Sequence, residues 1–200
     1  AIQLATAFQL LPCDFVSPYY RDESMLLGLG FSPYDLMLQL LAKGNDIFTG
    51  GREYYSHPNY KGDDKPGIIH QSSATGMQAI PTTGIAQGIK FLEKIQSGKL
   101  KKGVNGEPTV VICSLGDASV TEGEVSEAFQ FAALHQLPII YLVQDNGWGI
   151  SVTSEEARTS NANEMVKGFK SIKRISIDGS DFLQSYDVMK NVVDEVRQER

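Results

Sequence analysis

The order of the structural elements is decided by residues 110–146, which read VVICSLGDASVTEGEVSEAFQFAALHQLPIIYLVQDN. Two short apolar runs rich in β-branched residues, 110–115 and 139–143, are typical of strands that are buried on both faces. Between them, apolar residues such as Val125 and Phe129 recur at helical spacing. A crossover of this length between two buried strands favours parallel pairing. The sequence therefore predicts an α/β fold in which helices flank a parallel sheet.

The same alternation continues on both sides of this unit. Thr121, three residues before Glu124, matches the capping-box pattern at the start of a helix. Apolar periodicity and turn residues predict further elements: helices over 33–42, from 83 to 98 and from 182 onward, and a third strand over 174–177. We expect one domain spanning 1–200. The sequence stops where another strand would follow, so we also expect a longer polypeptide.

Residues 44–73 have no periodicity and carry several glycines and prolines. A segment of this length without regular structure is uncommon in a compact domain, and it is often a binding or lid segment. We therefore treat residues 44–73 as an active-site loop region.

Composition excludes several classes of protein. A hydrophobic content of 42% in 200 residues is enough to form a full core. The net charge of −6 argues against nucleic-acid binding, and no apolar stretch is long enough to span a bilayer. Cys13 and Cys113 lie outside any metal-ligand spacing, which fits the cytoplasm better than an oxidising compartment.

Polar residues follow both predicted strands of the central unit. The first strand leads into Gly116, Asp117, Ala118 and Ser119, and the second leads into 145–148, which includes Asn146 and Trp148. In a parallel sheet, ligands bind beyond the carboxyl ends of the strands. A carboxylate and an amide oxygen that converge there suit magnesium, with phosphate oxygens and water completing its shell. Gly116 and Asp117 alone would be read as an ordinary strand-to-helix turn.

Residues 116–151 also resemble the thiamine-diphosphate signature, which opens with Gly-Asp-Gly and closes with Asn-Asn after about thirty residues. The likeness is closest to the alpha subunit of the 2-oxoacid dehydrogenases, the branched-chain type above all. It extends over nearly the whole chain and includes PYYRDESMLL (18–27), GGREYYSH (50–57) and IDGSDF (177–182). The resemblance implies a thiamine-diphosphate-binding fold that is incomplete at its C-terminal end.

The resemblance also implies roles for individual residues. Asp117 and Asn146 would bind magnesium through their side chains, and Trp148 through its backbone carbonyl. The remaining cofactor contacts would come from the Tyr20–Arg21 pair, from Gly116, and from the backbone of Ala118 and Ser119, with an arginine fork well suited to phosphate. The stretch 73–77, including Ser73 and Thr75, would pass under the thiazolium ring.

Three positions depart from the signature. Ala118 replaces its second glycine, which is tolerable if the φ angle there is negative. Asp145 replaces the first asparagine and would either form a structural hydrogen bond or reach the metal, and Trp148 replaces a tyrosine. Among the histidines, His57 is the candidate catalytic residue, His70 is a weaker candidate, and His135 is interpreted as a helix-end residue.

The activity implied is thiamine-diphosphate- and magnesium-dependent oxidative decarboxylation of a 2-oxoacid, with acyl transfer to lipoyl groups. A beta subunit or beta domain would supply the activating glutamate, and a lipoyl-bearing acyltransferase would accept the acyl group. We expect a hetero- or homo-oligomer in the cytoplasm, or in the mitochondrial matrix of a eukaryote. Two alternatives remain: a transketolase-like or acetoin-cleaving enzyme, and a catalytically silent scaffold of the same fold.

Overall fold

The computed structural model describes residues 1–69 and 72–199, which form a parallel sheet with helices on both faces. The four strands of this sheet lie in the order β2-β1-β3-β4, and all of their pairings are parallel. Their bounds are β1 Phe15–Ser17, β2 Gly67–Ile68, β3 Val111–Gly116 and β4 Ile139–Gln144. A short antiparallel hairpin consists of β5 Trp148–Gly149 and β6 Val152–Thr153. The predicted fold class is therefore confirmed.

Eight α-helices are present in the described part of the chain, and three of them are longer than ten residues. Their bounds are α1 Ile2–Ala7, α2 Glu23–Gly28, α3 Pro33–Leu40, α4 Ala79–Lys94, α5 Gly123–His135, α6 Ser154–Ala157, α7 Ala162–Met165 and α8 Phe182–Gln198. Two 3-10 helices, Ala118–Thr121 and Val166–Gly168, complete the set. Within the described residues, no helix is long and apolar enough to cross a membrane.

Alternating side chains of β3 enter the cores on opposite faces of the sheet. Ile112 belongs to the core on the face covered by α1, α2 and α8. Val111, Cys113 and Leu115 point to the other face, which α4 and α5 cover. Every residue of β3 is buried, as expected for a strand of a parallel sheet that is covered on both sides.

The central unit was predicted with boundaries that differ by one residue from those observed. β3 and β4 lie next to each other, with Val111 opposite Ile139 and Gly116 opposite Gln144. The left-handed conformation of Gln136 (φ 47°) ends α5 two residues before Pro138. The sequence-based order of strand, helix and strand is therefore confirmed.

Several sequence-based predictions were wrong. No capping box joins Thr121 and Glu124: Glu122 is the N-cap of α5, and the Thr121 hydroxyl donates to the Ala118 carbonyl instead. Residues 174–177 form no strand, and Ile175 is about half exposed. Within the described residues, the loop region 44–73 contains β2, which extends the parallel sheet beside β1. α4 begins at Ala79, four residues before the predicted start, and α3 ends at Leu40, two residues before its predicted end.

Candidate functional site

The carboxyl ends of β3 and β4 place the two predicted loop tips at the same edge of the sheet. The strands stay paired up to Gly116 and Gln144, and the Asp117 N–H then donates to the Gln144 carbonyl at 3.3 Å. Asp117 and the Asp145–Asn146 pair therefore leave the sheet side by side.

Asp117 is a buried carboxylate of which only one oxygen is satisfied. Its side chain is 2% exposed, and its Oδ2 accepts from Arg158 Nη2 at 2.5 Å. Its Oδ1 is buried and has no hydrogen-bond partner among the described residues. Because a buried anionic oxygen without a partner is unfavourable, Oδ1 has the environment expected of an atom that binds a cation or a donor supplied by a ligand.

The turn after Asp117 is closed by Ser119. The Ser119 hydroxyl accepts from the Gly116 N–H at 3.1 Å and donates to the Gly116 carbonyl at 2.7 Å. Ala118 lies in the 3-10 helix and is not among the residues with positive φ. A methyl group at this position therefore strains no left-handed backbone, which meets the condition set for replacing the glycine of the signature.

Arg21 lies beside this turn. Its guanidinium carbon is 5.1 Å from the ring centre of Tyr19 and 5.2 Å from that of Tyr20, and Nη2 donates to the Tyr20 hydroxyl at 3.4 Å. A Cβ at Gly116 would lie 3.1 Å from Arg21 Nη2 and 3.0 Å from the Tyr19 ring. Gly116 therefore permits the close approach of this arginine, whose Nε is buried without a partner among the described residues.

Asp22 holds the Tyr-Arg turn against the sheet, a role that no sequence pattern predicted. Its carboxylate is 1% exposed and accepts from the Tyr19 N–H at 2.8 Å and from Gln144 Nε2 at 2.6 Å. Burial raises the pKa of Asp22. The only sequence signal was its place directly after the Tyr-Arg pair. Gln144 gave a comparable signal as the one polar residue that ends the apolar run of β4.

A narrow cleft of about 10 Å³ opens near Tyr20, His57 and Gln78, and residues 72–75 line its remaining wall. His57 is 7% exposed, and its Nδ1 lies 2.8 Å from the Tyr55 carbonyl oxygen. Because a carbonyl only accepts, Nδ1 carries the proton in this contact, which leaves Nε2 as an acceptor when the ring is neutral. His70, the weaker candidate, lies outside the described residues.

The segment that carries Ser73 and Thr75 lies against the turn that follows Asp117. Gly76 has a φ angle of +87°, and a Cβ there would lie 3.1 Å from the Glu122 side chain and 3.2 Å from the Ser119 carbonyl oxygen. Ser73 and Thr75 are themselves exposed and line the cleft. The predicted stretch 73–77 is therefore brought to the edge of the sheet that holds Asp117.

The second loop tip is shaped by side chains that bind their own backbone. Asp145 Oδ1 accepts from the Gly147 N–H at 3.1 Å, and Asn146 Oδ1 accepts from the Trp148 N–H at 3.0 Å. Asp145 thus forms the structural hydrogen bond that was one of its two predicted roles. A Cβ at Gly149 would lie 3.0 Å from the Ala118 Cβ, so the β5–β6 hairpin packs closely on the turn that carries Asp117.

The oxygen donors at this edge suit magnesium. Within the described residues, no cluster of three or more His, Cys, Asp or Glu side chains could hold a metal ion. A cation bound at Asp117 would therefore take its other oxygens from an amide, a backbone carbonyl, phosphate and water. This mixture is the one that magnesium accepts in sites completed by phosphate. The unpartnered Oδ1 of Asp117 and Nε of Arg21 fit a metal and an anion respectively.

The fold and the site together define an α/β protein with a polar cleft at the carboxyl edge of a parallel sheet. Comparison with known families gives a more specific assignment: the family model described as "Dehydrogenase E1 component" matches residues 1–200. The chain belongs to this family, as the motifs in its sequence predicted.

Individual relatives agree with this assignment. The chain is 29% identical over 199 residues to the 2-oxoisovalerate dehydrogenase subunit alpha of Bacillus subtilis (strain 168), a match that covers 98% of this chain and 55% of that protein. It is 28% identical over 191 residues to the mitochondrial 2-oxoisovalerate dehydrogenase subunit alpha 2 of Arabidopsis thaliana, covering 94% and 36%. It is also 28% identical over 189 residues to the pyruvate dehydrogenase E1 component subunit alpha of B. subtilis, covering 93% and 43%. The chain thus spans about half or less of the length of these relatives.

Proposed function

We propose that this chain supplies the diphosphate- and magnesium-binding part of a thiamine-diphosphate-dependent enzyme that oxidatively decarboxylates a 2-oxoacid and transfers the acyl group to a lipoyl group. The observation that carries the proposal is Asp117, a buried carboxylate at the end of β3 with one oxygen unpartnered within the described residues. Membership of the dehydrogenase E1 family supports the reaction class.

Each element at the edge of the sheet has a role in this proposal. Asp117 Oδ1, the Asn146 amide oxygen and the Trp148 carbonyl hold the metal, and Arg21 binds the diphosphate. The backbone of Ala118 and Ser119 contacts the same phosphates, and Gly116, whose own backbone is bound by the Ser119 hydroxyl, leaves room for Arg21 beside them. The N-cap of α5 has no side-chain hydrogen bond, so no cap competes for the first N–H groups of this helix, and in this proposal they are available to the diphosphate.

The remaining predicted residues lie around the cleft. Thiamine diphosphate supplies the electron-accepting ring that allows a 2-oxoacid to lose carbon dioxide. Ser73 and Thr75 support the cofactor from the segment held against Ser119. His57 presents Nε2 as an acceptor or base, with its ring oriented by the Tyr55 carbonyl. In this proposal residues 44–73 serve as the active-site loop region of a single domain spanning 1–200.

The cleft in this chain is too small to enclose a cofactor ring, because about 10 Å³ is room for roughly one water molecule. We therefore propose that a beta subunit or beta domain completes the site and supplies the activating glutamate, and that a lipoyl-bearing acyltransferase accepts the product.

The relatives include alpha subunits named for 2-oxoisovalerate and for pyruvate at similar identity. We propose that the substrate is a branched-chain 2-oxoacid and not pyruvate, because the sequence motifs most resemble those of the branched-chain type. The bacterial cytoplasm or the mitochondrial matrix is the proposed compartment.

Calorimetric titration of the intact protein and its beta partner with thiamine diphosphate, with and without magnesium, tests the proposal. We expect magnesium-dependent binding that Asp117→Asn weakens at least tenfold, because a neutral amide replaces the only charged ligand that this chain supplies in the proposal. Asp187→Asn, an exposed change on α8, is the matched control and should bind as the wild type does.

Two results would contradict this function. A wild-type protein that gives no magnesium-dependent signal would indicate the scaffold alternative. Cofactor binding without lipoyl-dependent acylation from any 2-oxoacid would indicate a transketolase-like or acetoin-cleaving enzyme.

A further inference from the structure

Arg158 is the buried partner of Asp117, and no motif in the sequence pointed to it. Its side chain is 5% exposed, and Nη2 donates to Asp117 Oδ2 at 2.5 Å. Neither Arg158 Nη1 nor Asp117 Oδ1 has a hydrogen-bond partner among the described residues, although both atoms are buried. The contact is therefore single, with one carboxylate oxygen held by the guanidinium and the other left without a partner.

The hairpin that follows the second loop tip fixes the position of Arg158. The Ser154 N–H donates to the Gly147 carbonyl at 2.8 Å, and the Arg158 N–H donates to the Ser154 carbonyl at 2.9 Å. α6 lies between them and starts with a capping box formed by Thr153 and Glu156. One short hydrogen-bonded segment, residues 146–158, therefore carries both proposed magnesium ligands of the second tip and the arginine that binds Asp117.

We propose that Arg158 is a positioning residue that restricts Asp117 to one metal-facing oxygen and thereby favours magnesium over calcium. This inference rests on the proposed function of the site. While Arg158 occupies Oδ2, Asp117 can offer a cation only Oδ1. Release of Oδ2 would allow the carboxylate to chelate a cation with both oxygens.

The two cations respond differently to this restriction. Magnesium requires near-octahedral geometry with bonds of about 2.0–2.1 Å, whereas calcium takes six to eight oxygens at about 2.3–2.6 Å and accepts bidentate carboxylates. Hydrogen bonds to a ligating carboxylate fix its orientation, and their loss commonly weakens metal binding by about 10- to 100-fold. Loss of the arginine should therefore disfavour magnesium more than calcium.

The ratio of the two affinities isolates this role from other effects of the substitution. Removal of the Arg158 charge relieves repulsion of both divalent cations almost equally, since they carry the same charge. General loosening of the fold would weaken both cations together. Neither effect changes the ratio, whereas a change in how many oxygens Asp117 offers does.

The test compares thiamine-diphosphate binding to the intact protein and its beta partner in magnesium and in calcium, by calorimetry. In Arg158→Met we expect the magnesium-to-calcium affinity ratio to fall at least tenfold. Arg158→Lys, which keeps the charge but has no planar fork, should show a smaller fall and serves if the methionine variant does not fold. Arg174→Met, an exposed arginine 16 positions along the chain, should keep the wild-type ratio.

Two outcomes would overturn the inference, and they can be told apart. Suppose that the wild type binds the cofactor with magnesium, but that the magnesium-to-calcium affinity ratio of both Arg158 variants lies within twofold of the wild-type ratio. The inference then fails and the proposed function stands. If the wild type shows no metal-dependent binding, both fail.

Discussion

At the scale of single residues, the buried carboxylates differ in whether both of their oxygens accept hydrogen bonds from the protein. Asp46, which is 5% exposed, accepts hydrogen bonds from the N–H groups of Phe48, Thr49 and Gly51 and from the Thr49 hydroxyl. Burial acts to raise the pKa of Asp46, but these donors outweigh it and hold the pKa below its usual value. Asp46 therefore stabilises a turn, whereas Asp117 keeps one oxygen without a partner in the described structure.

Asp46→Ala should lower the free energy of unfolding by about 1.5–3 kcal/mol at neutral pH, because it leaves backbone donors unsatisfied. The folded-state pKa of Asp46 is lowered, so its contribution is present above the unfolded pKa of about 3.9 and is lost as pH falls through the folded value. Urea unfolding of wild type and variant at about pH 7 and about pH 3 should show the difference shrinking in acid. A difference independent of pH would contradict the charged role of Asp46. Asp187→Ala, on an exposed face, is the control.

The residue scale also shows how far a sequence can predict a site. Asp117 and Asn146 were predicted because each follows a strand and belongs to a spaced motif. Arg158 and Asp22 were missed since their roles depend on tertiary contacts, with Arg158 lying 41 positions from its partner. An arginine in a polar segment has no local pattern that separates a buried partner from a solvated side chain.

At the scale of elements, the site depends on close approaches that glycines permit between loops and turns. Gly76 is the clearest case because its φ angle is +87° and an added Cβ would lie within 3.2 Å of Glu122 and Ser119. The segment that carries Ser73 and Thr75 is thereby placed directly against the turn that follows Asp117.

Gly76→Ala should destabilise the fold by about 1–2 kcal/mol, because an L side chain in left-handed backbone is strained. The added Cβ should also push the segment away from Ser119 and weaken cofactor binding. Chemical unfolding and calorimetric titration measure the two effects. Gly44→Ala, in a loop position where a Cβ meets nothing within 4 Å and φ is not positive, should change stability by less than about 0.5 kcal/mol. Equal effects of the two substitutions would refute this role of Gly76.

Among the elements, sequence pattern succeeded for long apolar runs, whether fully buried as in β3 or mostly half-buried as in β4, and failed where tertiary context decides. The runs in β3 and β4 were recognised from their continuous apolar character. β1 has only three residues, and β2 has two, so no periodicity could reveal them. Residues 174–177 have the alternation of a strand but pair with no other strand in the described structure.

At the scale of the whole molecule, one buried ion pair joins the last helix to the opposite end of the sheet from the site. Arg197 donates to both oxygens of Asp14, at 2.8 Å and 2.5 Å, and to the Pro108 carbonyl. Asp14 in turn accepts from the Leu11 and Val110 N–H groups. The pair thereby joins α8 to the segments that lead into β1 and β3.

Arg197→Met should cost about 3–5 kcal/mol of unfolding free energy, because it leaves the Asp14 charge buried without its counter-ion. Lys190→Met on the same helix removes an exposed i,i+4 pair with Asp194 and should leave the free energy of unfolding close to that of the wild type. Thermal or urea unfolding of the intact protein distinguishes the two. If both variants lost comparable free energy of unfolding, the buried Arg197–Asp14 pair would contribute no more to stability than an exposed pair.

The pairing of β1 with β3 also has a kinetic consequence. Phe15 pairs with Val111, and Asp14 meets Arg197 across 183 positions of chain, whereas β3 and β4 are joined by a single helix. Contacts between distant positions require closure of long loops and slow the search for the native topology. On a ribosome, β1 is therefore made well before β3, and the edge of β1 that pairs with β3 has to stay unpaired until residues 111–113 have been translated.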